Sequence, residues 1–138
     1  MLKKTIKYED YDGNVREEDF YFNLNKSELI ELSVSKDGGI ETVLTRLIKQ
    51  QNVKEILEII QNLILKAYGE KSDDGKVLLK SPEISQKFKC TEAYNELFCD
   101  LAEDSAKALE FIHGLIPRDV LEKMIEAEKN QNSTNAQN

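Results

Sequence analysis

Residues 52–69, NVKEILEIIQNLILKAYG, decide the fold. Asn52 followed three residues later by Glu55 is a helix start, because a side chain at the first position can accept a hydrogen bond from the backbone at the fourth. Behind it, Val53, Ile56, Leu57, Ile60, Leu63, Ile64 and Ala67 recur at three- and four-residue spacing and form one apolar face; Gly69 supplies the stop. Ile59 and Leu65 lie outside that stripe, so the helix should be contacted on more than one side. At about 1.5–3 kcal/mol for each large aliphatic side chain fully buried, this segment should dominate the stability of the core. The remainder of the chain reads as what packs around it.

Immediately upstream, Ile40, Val43, Leu44, Leu47 and Ile48 repeat the helical stripe. Asn25 with Glu28 opens an earlier helix through Leu29, Ile30 and Leu32, and Asp37-Gly38-Gly39 breaks it. Residues 2–24 have a different period. Lys4-Thr5-Ile6-Lys7-Tyr8 and Glu18-Asp19-Phe20-Tyr21-Phe22 are rich in β-branched and aromatic residues and flank turn chemistry at Asp12-Gly13-Asn14. A two-residue turn would oppose Ile6 to Asp19 and mix core and solvent on both faces. A three-residue loop, Asp12 to Asn14, opposes Leu2 to Leu24, Ile6 to Phe20 and Lys7 to Asp19, with Asn14 in the left-handed conformation. Since a one-residue slip turns every side chain over, the three-residue loop is the expected one.

Downstream, Glu70 to Lys80 reads as a loop around Ser72-Asp73-Asp74-Gly75, with a short apolar patch at Val77-Leu78-Leu79. Ser81-Pro82-Glu83 is cap, first helical residue and first-turn acid. Thr91 opens a helix carrying Tyr94, Leu97, Phe98 and Leu101. After a break near Glu103-Asp104, Ala108, Leu109, Ile112 and Leu115 continue the pattern until Gly114 and Pro117 end it. The predicted fold is α+β, mainly α: an N-terminal β-hairpin packed on a bundle of about five helices. Residues 1–117 form one domain (hairpin 2–24, bundle 25–117), 118–129 a C-terminal helix, and the polar stretch 130–138 a disordered tail.

The 138 residues suffice for a single core without disulfides or metal. A formal net charge of −7 argues against nucleic acid as a partner, where lysine and arginine must replace counterions. No run of about 18 apolar residues is present to span a membrane. Met1 to Ile6 has the charges of a secretory n-region with no apolar segment behind it, and Cys90 and Cys99 have no C-x-x-C spacing. Both features point to a reducing, cytoplasmic setting.

Catalytic chemistry is sparse. His113 is the chain's single histidine, so two-histidine metal sites are excluded. A Cys–His pair from Cys90 or Cys99 with His113 is conceivable, but Tyr94, Phe98, Leu101 and Ile112 around the candidate faces point to buried, structural thiols. His113 suits a helix C-terminus. The acidic turns Asp10-Tyr11-Asp12-Gly13-Asn14 and Ser72-Asp73-Asp74-Gly75 lack the spacing of an EF-hand loop, and no glycine-rich phosphate cradle occurs. No cofactor, metal or catalytic residue is assigned. The expected activity is protein binding. Its candidate contact surface is the stripe Val120, Leu121, Met124 and Ile125 beyond Pro117, which either docks back on its own bundle or meets a partner.

The order of several segments carries a family resemblance: Asp10-Tyr11-Asp12-Gly13-Asn14, Glu18 to Leu24, Gly38-Gly39, Ala67-Tyr68-Gly69-Glu70-Lys71-Ser72, Lys80-Ser81-Pro82-Glu83, Thr91-Glu92-Ala93-Tyr94 with Leu97-Phe98, and Phe111 to Pro117. Over roughly residues 4 to 117 the chain resembles the tail assembly chaperones of long-tailed bacteriophages and prophages of Gram-positive hosts. The resemblance implies a non-enzymatic protein of the host cytoplasm that coats the tape measure protein while the tail tube is built, and that is absent from the mature virion. It also implies a longer, frameshifted form of the chain as a further partner, beside self-association. Glu128-Lys129-Asn130 can be encoded as GAA-AAA-AAC or GAA-AAA-AAT, on which such a slip can occur. A helical phage regulatory or inhibitor protein is the alternative that composition alone leaves open.

Overall fold

The helix starts read from the sequence are satisfied by their own side chains. In the computed structural model, which describes residues 1–35 and 39–116, Asn25 Oδ1 accepts from the Glu28 N–H at 2.9 Å and Glu28 Oε1 accepts from the Asn25 N–H at 3.1 Å. This reciprocal box opens α1 (Lys26–Ser35). The side chains of Asn52, Ser81, Thr91 and Asp104 cap α3 (Val53–Ala67), α4 (Pro82–Lys89), α5 (Glu92–Glu103) and α6 (Ser105–Leu115). Between α1 and α3 runs α2 (Gly39–Lys49), which begins at the second glycine of the expected break; Asp37 and Gly38 lie outside the described residues.

The expected hairpin is present as β1 (Leu2–Glu9) and β2 (Val15–Phe22), but its register differs from the expectation. The loop is three residues long, as expected, and sits one position earlier, at Tyr11–Gly13. The Asp10 N–H donates to Asn14 O at 2.8 Å, and the Gly13 N–H to Asp10 O at 3.0 Å. Gly13, at φ +85°, holds the left-handed position in place of Asn14. Asp first and glycine fourth is the composition a type I turn favours, and a left-handed glycine costs less than a left-handed asparagine. Asp10 fixes the turn from within: its carboxylate accepts from the N–H groups of Asp12 and Asn14, both at 2.9 Å, and from Arg16 Nε at 2.6 Å. Foremost the Arg16 contact, then these backbone donors, hold its pKa down to about 2. Moving the loop by one residue moves the register by two, so Leu2 opposes Phe22, Ile6 opposes Glu18 and Lys7 opposes Glu17. A shift of two preserves the faces, and Ile6 and Phe22 still point to the core.

The larger correction concerns Glu70 to Lys80, which is not simply a loop. The chain leaves α3 directly into β3 (Tyr68–Lys71), turns, and returns as β4 (Leu78–Leu79). With these strands the hairpin becomes a four-stranded antiparallel sheet of order β1-β2-β3-β4. Gly69 is therefore a strand residue rather than a helix stop. It pairs with Tyr21, and a Cβ placed on it would lie 2.7 Å from Leu78 Cγ and 3.1 Å from Leu79 O. Close approach of the β4 segment is what requires glycine there. The described residues thus hold six helices and four strands, where a hairpin and about five helices were expected.

Helix α3 packs against α2, α4, α5 and α6, which makes it the centre of the bundle. Ile59, Ile60, Leu63, Ile64 and Ala67 are its buried residues, so contact beyond one stripe is borne out at Ile59, while Val53 at the helix start is 61% exposed. Helix α5 lies against β1 and α4 against β3. The layers meet in an aromatic cluster. Phe22 approaches Tyr68, Phe88 and Phe111 at centroid distances of 5.7, 5.8 and 5.4 Å, and Tyr68 stacks on Phe88 at 4.0 Å. Lys80 ties the sheet to α1 from the rim, its Nζ donating to Asn23 O and to both carboxylate oxygens of Glu28.

Candidate functional site

At the end of the bundle where α2 and α5 finish and α3 and α6 begin, the packing leaves an apolar groove of about 440 Å³. Its α3 wall is Val53, Ile56, Leu57 and Ile60, with Ile48 and Gln51 from the end of α2. The opposite wall is Leu101, Ala102 and Glu103 of α5 with Ser105 and Ala108 of α6. Ile60, Leu101 and Ala108 are buried and form the floor; Val53 and Ala102 are exposed at the rim.

Local sequence explains why the groove is there. Asn52 starts α3 just after α2 ends, so the first apolar turn of α3 projects past the partners that cover its later turns. Across from it, Asp104 ends α5 and caps α6, accepting from the N–H groups of Ala106 and Lys107 at 3.0 and 3.4 Å. Lys107 then reaches back to Asp100 at 3.0 Å, which pins the α5–α6 corner and, chiefly through that hydrogen bond, raises the Lys107 pKa. Ala102, Ser105 and Ala108 keep that wall low, so side chains do not fill the space between the helix ends.

Gln51 marks the rim by its backbone. Its φ is +56°, the positive φ among the described non-glycine residues. The Gln51 N–H donates to Ile48 O at 3.1 Å and the Asn52 N–H to Leu47 O at 3.0 Å. These two bonds are the Schellman ending of α2, in which glycine ordinarily takes the place of Gln51. A side-chain-bearing residue in this conformation costs on the order of 1–2 kcal/mol, and such costs concentrate at functional positions.

The residues singled out from the sequence fare differently. Val120, Leu121, Met124 and Ile125 lie outside the described residues, as do the expected helix 118–129 and tail 130–138. Cys90 and Cys99, expected to be buried, are both exposed. Cys90 follows the last residue of α4, beyond buried Phe88. Cys99 is two residues from each of Leu97 and Leu101, about 200° around the helix from both, and so faces away from the core they build. His113 stands in the last turn of α6 as expected. The acidic turns are engaged by their own neighbours: Asp74 Oδ1 accepts from Ser72 Oγ at 2.7 Å and from the Lys76 N–H at 3.0 Å, as Asp10 does from its own turn. None of the groove residues was singled out as a contact. Helical spacing assigns Val53, Ile56, Leu57 and Ile48 to the core, and the signal for the low wall is the three-residue recurrence of small residues at 102, 105 and 108.

Compared with known proteins, the whole chain, residues 1–138, matches the family model described as phage tail assembly chaperone. The chain belongs to the phage tail assembly chaperone family. The resemblance carried by residues 4 to 117 thus extends over the full sequence. No characterised relative and no solved structure matches the sequence. Among the described residues of this tail assembly chaperone, no helix is long and apolar enough to cross a membrane.

Proposed function

We propose that this tail assembly chaperone binds the tape measure protein in the host cytoplasm and keeps it soluble while the tail tube is assembled, leaving before the virion is complete. It works by binding, with no chemical step. Family membership supports the role and weighs against a regulatory or inhibitor protein; the groove is the observation that supports the mode. An apolar slot between helix ends suits the apolar face of a partner helix, and Gln51 at the rim adds an amide that can hydrogen-bond to it. The acidic surface, −7 over the chain, keeps the loaded complex soluble.

Co-expression with the tape measure protein of the same phage or prophage, followed by co-purification, tests the reading. Val53→Asp changes an exposed rim residue and should leave folding intact while reducing capture by about tenfold or more, the effect of a charge placed in a binding hot spot. Gln51→Gly should relieve the backbone cost, raising stability by about 1 kcal/mol while weakening capture. Unchanged capture by both variants would remove the groove from the mechanism. Failure of the native chain to retain the tail protein would remove that protein as the partner.

The same reading includes a longer, frameshifted form of the chain and association between copies. Synonymous recoding of Lys129 and Asn130 should abolish a longer band detected with an antibody to the N-terminal region. A longer band that persists, or a gene with AAG at Lys129, refutes the slip at this place.

A further inference from the structure

We propose that in the free chaperone the groove is covered by the chain's own C-terminal stripe, Val120, Leu121, Met124 and Ile125, which a partner helix must displace. The inference rests on the reading of the groove as the docking surface. Three observations carry it. The first is apolar surface left open at the groove: Val53 is 61% exposed on one wall and Ala102 is exposed on the other, in a chain otherwise rich in surface charge. A slot of this form between helix ends suits the apolar face of a further helix.

The second is reach. Helix α6 begins in the groove wall at Ser105 and Ala108. Its far end is tied to the sheet end of the molecule by the Leu24 N–H donating to Leu115 O at 3.1 Å and by Gly114 lying against Leu2. Ile116 is eight residues past Ala108, about 12 Å along a helix. The four residues from Ile116 to Val120 span up to about 14 Å. The chain beyond Ile116 is therefore long enough for Val120 to reach the level of Ala108, and the later stripe residues that of Ser105.

The third is pattern. Positions 120, 121, 124 and 125 fall on one side at helical spacing, which is the form an apolar slot between helix ends accepts, and the segment to Asn138 carries no comparable apolar group. Met124 adds the adaptability useful in a contact that must also release. A tether of a few residues gives the stripe an effective concentration on the order of millimolar, so it occupies the groove ahead of a second copy at ordinary protein concentrations. An incoming helix then binds with an affinity reduced by the fraction of open grooves. This favours long, multiply apolar clients over stray helices.

The test is disulfide trapping in the full-length chain at low micromolar concentration, with Cys90→Ser and Cys99→Ser as background. Two pairs are oxidised separately, Ala102→Cys with Met124→Cys and Val53→Cys with Leu121→Cys. Lys3→Cys with Met124→Cys serves as control, since Lys3 is exposed on β1. We expect at least one groove pair to close within the monomer about tenfold faster or more than the control. Disulfide-linked dimers as the main product would assign the groove to a second copy, and rates equal to the control for both pairs would leave the stripe unseated; either result overturns the proposal. Neither outcome depends on capture of the tail protein, so this idea and the function proposed above can fail separately.

Discussion

Phe22→Ala is expected to destabilise the fold by about 3–5 kcal/mol, the range for deleting a buried phenylalanine. Phe22 is fully buried at the end of β2, and its ring is the place where sheet and bundle meet. It packs edge-on against Phe88 of α4 and Phe111 of α6, and beside Tyr68 where α3 becomes β3. The neighbours that could collapse into the vacated space are held by separate elements. Closing it would pull α4, α6 and the strands together and strain the pairing of Phe22 with Tyr68. For a domain of ordinary stability, 5–15 kcal/mol in total, that loss is a large share. Urea unfolding of the variant beside Phe22→Leu measures it; the leucine keeps most of the apolar volume and should cost roughly half as much or less. A loss below about 1.5 kcal/mol for Phe22→Ala would mean that the sheet is not anchored through this ring.

Leu63→Ala and Ile60→Ala should each cost about 2–5 kcal/mol, with Leu63→Ala the larger. Both residues are 3% exposed on the central helix. Their surroundings differ, because Ile60 also floors the groove and Leu63 does not border it. Removing the Ile60 side chain deepens a space already open to solvent, whereas removing that of Leu63 leaves an enclosed void whose lining loses its contacts outright. The two sites lie one turn apart, so the double variant should deviate from the sum of the singles. Denaturant unfolding of the three variants provides the comparison. Losses below about 1 kcal/mol for both single variants would show that α3 is not the centre of the core. Ile60→Ala carries a second readout, since a deeper groove should alter capture of the tail protein where Leu63→Ala does not.

Those two residues also show what is legible before folding. The three- and four-residue spacing from Val53 to Ala67 marks α3 as the principal helix, and Asn25, Asn52, Ser81 and Thr91 mark helix starts. Each is legible because a cap is satisfied within three residues of itself and a stripe within one helix. The face of each hairpin residue is legible for the same reason: alternation survives even though the loop sits one residue earlier than expected. The exposure of Cys99 was legible too, since its position falls opposite Leu97 and Leu101, but neighbouring apolar residues in sequence outweighed helical geometry.

By itself, then, the sequence determined the class of the fold, the central helix, the capped helix starts and the family, all of which depend on residues close together or on their order along the chain. The tertiary structure alone decided the four-stranded sheet. Four residues of β3 and two of β4 are too short to show a period, and Tyr68–Lys71 extends because β2 offers it an edge and Leu78 lies over Gly69. It alone decided the groove as well. A groove is the space left between four helix ends that meet from distant parts of the chain, and the same Val53 and Leu57 that a helical stripe assigns to the core become its wall because α2 and α5 stop short of covering them.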